Sequence, residues 1–66
     1  MTLGQKLYKA RLENNMSAKD LANKIGVSDT SVLYWEKDKA EPLFINVIVL
    51  SQTLGVSLNY LAGLEE

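Results

Sequence analysis

The stretch LANKIGVSDTSVLYWE, from Leu21 to Glu36, carries the apolar and polar spacing of two short helices, with Gly26 between them. Further helix starts are marked by side chains able to accept from the exposed N–H groups of a first turn. Thr2 with Gln5, and Ser17 with Asp20, have capping-box spacing, although aspartate is a shorter and weaker partner than glutamate or glutamine. Ser28 precedes DTSVLYWE and Ser57 precedes LNYLAG. Gly26, Gly55 and Gly63 mark helix ends, and Pro42 suits the first turn of another helix. The pattern predicts five helices, at about 2–14, 18–25, 29–36, 43–54 and 58–62. LFINVIVL has the β-branched content of a strand but runs into SQTLG without a turn signal, and its length favours a helix.

Between Ala18 and Trp35 the spacing has a steric logic. Two helices crossing at roughly 90–120° need a small residue where they meet, here Ala22, and a turn residue with positive φ, here Gly26. Leu21, Ile25, Val27, Val32 and Trp35 then face inward and fix the angle. These features describe a helix-turn-helix over about residues 17–36, within one domain spanning 1–66.

Composition narrows the function. Sixty-six residues, 47% of them apolar, suffice for one small core. There is no cysteine and no histidine, hence no disulfide framework, no zinc site of the usual kinds and no expected cofactor. No P-loop, metal-ligand spacing or paired-carboxylate cleft stands out, so an enzyme is not expected. Neither a membrane span nor a signal-peptide pattern is present, and a cytoplasmic protein without a membrane partner is the default expectation. Seven basic and eight acidic residues give a net charge of −1, which counts against nucleic acid. Setting aside Glu65 and Glu66 leaves seven bases against six acids, and phosphate binding needs local rather than global positive charge.

Along nearly its whole length the chain resembles the Cro/repressor-like, or XRE, helix-turn-helix family of phage-repressor type. LGQKLYKARLENNMS resembles the family's first helix, SAKDLANKIGVSDTSVLYWEKDKAEP its helix-turn-helix and following loop, and LSQTLGVSLNYLAG its last two helices. The resemblance implies an all-α, five-helix lambda-repressor-like domain with the helix-turn-helix at helices two and three. It also implies a sequence-specific regulator of double-stranded DNA, such as a prophage or mobile-element repressor acting as a homodimer on an inverted repeat.

Carried over by position, the second helix of the unit enters the major groove, with Asp29, Thr30, Leu33 and Tyr34 toward the bases. Thr30 can bond a base edge, Asp29 can accept from cytosine N4, and Leu33 or Tyr34 can meet a thymine methyl. Asp29 also has a purely structural reading, as a carboxylate in a helix's first turn. Many family members carry glutamine where this chain has Ala18, so that side-chain contact to phosphate is lost. Ser17, Lys19, Ser28, Ser31, Lys37, Lys39 and the N–H groups of helix starts, Ala18 included, are the backbone candidates, against the plainer reading that scattered lysines only solvate the surface. Asp38 and Glu41 interrupt the basic loop. Relatives pair an arginine on helix one with a glutamate ending the reading helix, here Arg11 and Glu36, in a structural role.

In helix four, Phe44, Val47, Ile48 and Leu50 are expected in the core, with Ile45 and Val49 outside it. Ile45, Val49, Leu58, Tyr60 and Leu64 then form a candidate dimer surface, unless a wider core takes them in. The alternative function is a protein-interaction module on the same scaffold, antirepressor or antitoxin-like, with Leu33 and Tyr34 facing another regulatory protein.

Overall fold

The computed structural model describes residues 1–65; Glu66, the last acid of the tail, lies outside the described residues. Five helices follow in order: α1 (Leu3–Glu13), α2 (Ala18–Ile25), α3 (Asp29–Glu36), α4 (Phe44–Leu54) and α5 (Leu58–Leu61). No strand occurs among the described residues, and each helix falls within one residue of its expected bounds.

The helix starts are hydrogen-bonded as their sequences require. Thr2 Oγ1 accepts from the Gln5 N–H at 3.1 Å, while the Thr2 N–H donates to Gln5 Oε1 at 2.9 Å. Ser17 and Asp20 form the same reciprocal pair, both bonds at 3.0 Å, so aspartate completes the box despite its shorter arm. Ser28 and Ser57 accept from the N–H groups of Ser31 and Tyr60. Helix α4 differs: Leu43 is its N-cap and offers no side-chain bond. Pro42 therefore lies before the cap and not in the first turn, where it had been expected.

Every helix ends in one kind of turn. A residue with φ between 56° and 79° follows it, namely Asn15, Gly26, Asp38, Gly55 and Gly63. The next N–H reaches back five residues: Met16 to Arg11 O, Val27 to Ala22 O, Lys39 to Tyr34 O, Val56 to Ser51 O and Leu64 to Asn59 O, at 2.8–3.2 Å. This is the 6→1 bond of a Schellman ending, which satisfies carbonyls that a helix terminus leaves free.

All five helices contribute to the core: Leu7 and Ala10, Leu21 and Ala22, Val32 and Trp35, Leu50 and Leu54, and Leu61. Ile25 and Val27 are half-buried against it, together with Met16, Val47 and Val56. Two expected core residues stay out. Phe44 is 73% exposed, and Ile48 is half-buried without joining the cluster. The reason is rotational. Val47, Leu50 and Leu54 set the inward face of α4, and at about 100° per residue Phe44 and Ile48 fall a quarter-turn or more from its centre.

Candidate nucleic-acid interface

The helix-turn-helix is set by small residues at its corner. Ala22 is buried where α2 meets α3, and Gly26, at φ 77° and ψ 33°, turns the chain between them. Val32 and Trp35 hold α3 to the core. The opposite side of α3 presents Thr30, Leu33, Tyr34 and Lys37, spaced i, i+3, i+4 and i+7 and therefore on one stripe. All four are exposed, Leu33 by 39% and Tyr34 by 49%. Asp29 is also exposed but lies in the first turn, beside the stripe and near the free N–H groups of the helix start.

Glu36, at the far end of α3, faces the other way. Arg11 Nε and one terminal guanidinium nitrogen donate to its two carboxylate oxygens at 2.7 and 2.9 Å, and the other terminal nitrogen donates to Met16 O at 3.0 Å. The side chains are 9% and 5% exposed, so the fork is nearly sealed from water. The hydrogen bond to Glu36 raises the Arg11 pKa further above its usual range, against an opposing effect of burial. One arginine thus fixes α3 against α1 and holds the loop between α1 and α2. Beside the ion pair Gly4 is buried on α3: a Cβ there would stand 2.5 Å from Trp35 O and 2.6 Å from Glu36 O. Only glycine permits that approach. Gly4 went unmarked in the sequence because nothing local distinguishes a packing glycine inside a helix.

The serines have two tasks. Capping uses an acceptor lone pair of Ser17 Oγ, while its O–H serves the Asp20 carboxylate. Ser28 and Ser31 share a bond between hydroxyls at 3.0 Å, which leaves one outward O–H for the pair. Ala18 is half-buried and packs on the core, so it offers the outside its N–H and little side chain. The Asp20 carboxyl is held below the ordinary aspartate range by the Ser17 N–H and then by the Ser17 hydroxyl. Lys19, Lys37 and Lys39 are exposed, and Lys39 Nζ stands 5.8 Å from the centre of the Tyr34 ring.

A second face of the molecule, on α4 and α5, is apolar. Leu3, Phe44, Val47, Leu58, Leu61 and Leu64 line a groove of about 410 Å³ between α4 and α5. Leu64 and Ile45 are exposed, and Val49 is half-buried beside Ile45 on the outer side of α4. Of the expected dimer residues, Leu58 and Leu64 enter this groove. Tyr60 does not: it packs on the core, its carbonyl accepting from Lys6 Nζ at 2.7 Å. No group of three or more metal-ligating side chains is found among the described residues, and no helix of the structure is long and apolar enough to cross a membrane.

Comparison with known proteins agrees with this geometry. A helix-turn-helix family model matches residues 7–61. The chain is 30% identical over 66 residues to the HTH-type transcriptional regulator ImmR of Bacillus subtilis (strain 168), aligning along its whole length but spanning 52% of that protein. It superposes on the P22 c2 repressor, solved in complex with a synthetic operator, with a TM-score of 0.88 at 28% identity over 92% of each chain. The chain belongs to the helix-turn-helix family, in its XRE, phage-repressor-like branch, whose members are DNA-binding regulators and not enzymes.

Proposed function

We propose that residues 1–66 act as one domain that binds double-stranded DNA in a sequence-specific manner, as a repressor of prophage or mobile-element type, two copies addressing an inverted repeat. The observation that carries this reading is the exposed stripe Thr30, Leu33, Tyr34 and Lys37 on the second helix of the unit, opposite the buried Val32 and Trp35. A helix of this kind enters the major groove with its early residues at base edges. Thr30 and Tyr34 are the principal readers, Leu33 offers an apolar contact to a thymine methyl, and Asp29 accepts from cytosine N4. Ser17, Ala18, Lys19, Ser28, Ser31, Lys37 and Lys39 hold the phosphates through hydroxyls, helix-start N–H groups and ammonium groups.

The dimer reading rests on the apolar face. Ile45, Val49, Leu58 and Leu64 supply a contact face, to which the exposed Phe44 adds. Paired helix-turn-helix units address half-sites about one DNA turn apart, roughly 34 Å. Selection of duplexes from a random library at low salt tests the proposal. An enriched inverted repeat with half-site centres about 10 base pairs apart supports it. If nothing is enriched, it fails, and Leu33 and Tyr34 become the place to seek a regulatory protein partner. On the selected repeat, Asp29→Ala relaxes preference at one base pair if Asp29 reads cytosine; uniform tightening on all sequences assigns it to phosphate repulsion.

A further inference from the structure

Asp38 is an acid between two lysines in a loop that is proposed to meet phosphates, and it sits at φ 57°, in the left-handed region used mainly by glycine and, after it, by asparagine and aspartate. Its surroundings explain both oddities. Its Oδ1 accepts from the Gly4 N–H at 3.0 Å and its Oδ2 from Thr2 Oγ1 at 2.5 Å, so the carboxylate lies on the start of α1, where the helix dipole favours it. Thr2 completes the fastening, because its hydroxyl donates to Asp38 while accepting from the Gln5 N–H. Gly4 makes the seat possible, since a Cβ would stand 2.7 Å from Asp38 Oδ1. On the far side, the Lys39 N–H donates to Tyr34 O at 2.9 Å, and the Lys39 ammonium lies near the Tyr34 ring.

We propose that Asp38 is a positioning residue for the interface: by tying the loop after α3 to the start of α1, it presets Lys37, Lys39 and the Tyr34 ring before DNA arrives. The inference rests on the DNA-binding reading. The carboxylate is turned inward onto two donors at a helix start, whose positive end offsets part of its charge. A preset loop also spares the ordering of two long side chains on binding, which otherwise subtracts from affinity.

Two variants with the same charge isolate the geometry. Asn and Gly both accept positive φ, but only Asn keeps an acceptor for the Gly4 N–H. Binding to the selected duplex is measured for wild type, D38N and D38G as a function of salt, alongside circular dichroism and amide exchange of the free proteins. D38N is expected to bind at least as tightly as wild type, with an unchanged salt slope. D38G is expected to stay folded, exchange its Gly4 amide faster, bind about tenfold more weakly, and lose about one to two from the logarithmic salt slope as its lysines disengage. If D38G binds as well as D38N with the same slope, Asp38 is only a charge and the inference is overturned. Equal loss in both variants also overturns it, because the acceptor would then not matter. A wild type that selects no duplex ends the DNA reading itself, and this inference with it, whereas a binding wild type with two unaltered variants ends only the inference.

Discussion

Two regions of this molecule are held together in different ways. Around α1, α2 and α3 directional contacts are added to the apolar core: a sealed fork of Arg11 on Glu36, Asp38 on Thr2 and Gly4, and two reciprocal capping boxes. Around α4 and α5 the contacts are mostly apolar, α4 begins without a side-chain cap, and Phe44, Ile45 and Leu64 remain exposed. Directional bonds fix an angle, whereas apolar burial fixes mainly an area. A reading helix must sit at one angle to its groove, and a surface meant for a second copy needs apolar area to spare. The difference in chemistry thus parallels the division of labour proposed for the two regions.

Breaking the polar region has the largest expected effect. Arg11→Ala leaves the Glu36 carboxylate buried and unpaired, at a cost of about 3–5 kcal/mol, because removing one partner strands the other's charge. Stability of a domain this small is of the order of 5 kcal/mol, so thermal melting should find the variant barely folded. An Arg11→Ala melt that matches wild type contradicts the role given to the fork.

Leu50→Ala attacks the other region through its fully buried anchor, and a loss of about 2–4 kcal/mol is expected in urea unfolding. Here the comparison sharpens. A volume-restoring Leu50→Met should recover most of the loss, whereas Arg11→Lys should recover little, because an ammonium cannot reproduce the fork.

Phe44→Ser is expected to change monomer stability by only about 0.5 kcal/mol or less, since the ring packs on little of its own chain. Sedimentation should nevertheless find weaker self-association. A large loss of monomer stability without any change in association would return Phe44 to the core.

The smallest effect concerns pH. The Asp20 carboxyl titrates below its ordinary value because Ser17 bonds the charged form. The lowered folded pKa means that its contribution is fully present above the unfolded value of about 3.9 and is lost as pH falls through the folded one. Asp20→Asn should therefore flatten a slight acid-side slope in melting temperature below that pH and leave the neutral value almost unchanged. A changed slope at pH 6 to 8 contradicts this assignment.

Much of this fold was legible in the sequence because its signals are local. Serine and threonine caps, three glycine stops and the spacing of Ala22, Gly26, Val32 and Trp35 each act within one or two turns, and the helix bounds follow from them. Asn15 and Asp38 end helices as the glycines do, but their composition alone reads as ordinary surface. Gly4 and the true seat of Asp38 depend on residues more than thirty positions apart, which no local pattern contains. Phe44 was misplaced for a related reason: α4 is apolar nearly all round, so periodicity cannot say which side faces in, and only its packing against α2 and α5 decides. Thr30, Leu33 and Tyr34 of the α3 stripe were reached through the family resemblance, and their exposure follows from Val32 and Trp35 holding the other face to the core.

The most direct test of the account is to titrate isotopically labelled protein with the selected duplex and follow the backbone amides by NMR. The account predicts the largest shifts at Ser17 to Lys19 and across Ser28 to Lys39, with the α4–α5 groove changing only as copies associate. Shifts confined to residues 43–64, or none along the Thr30, Leu33 and Tyr34 stripe, would contradict it.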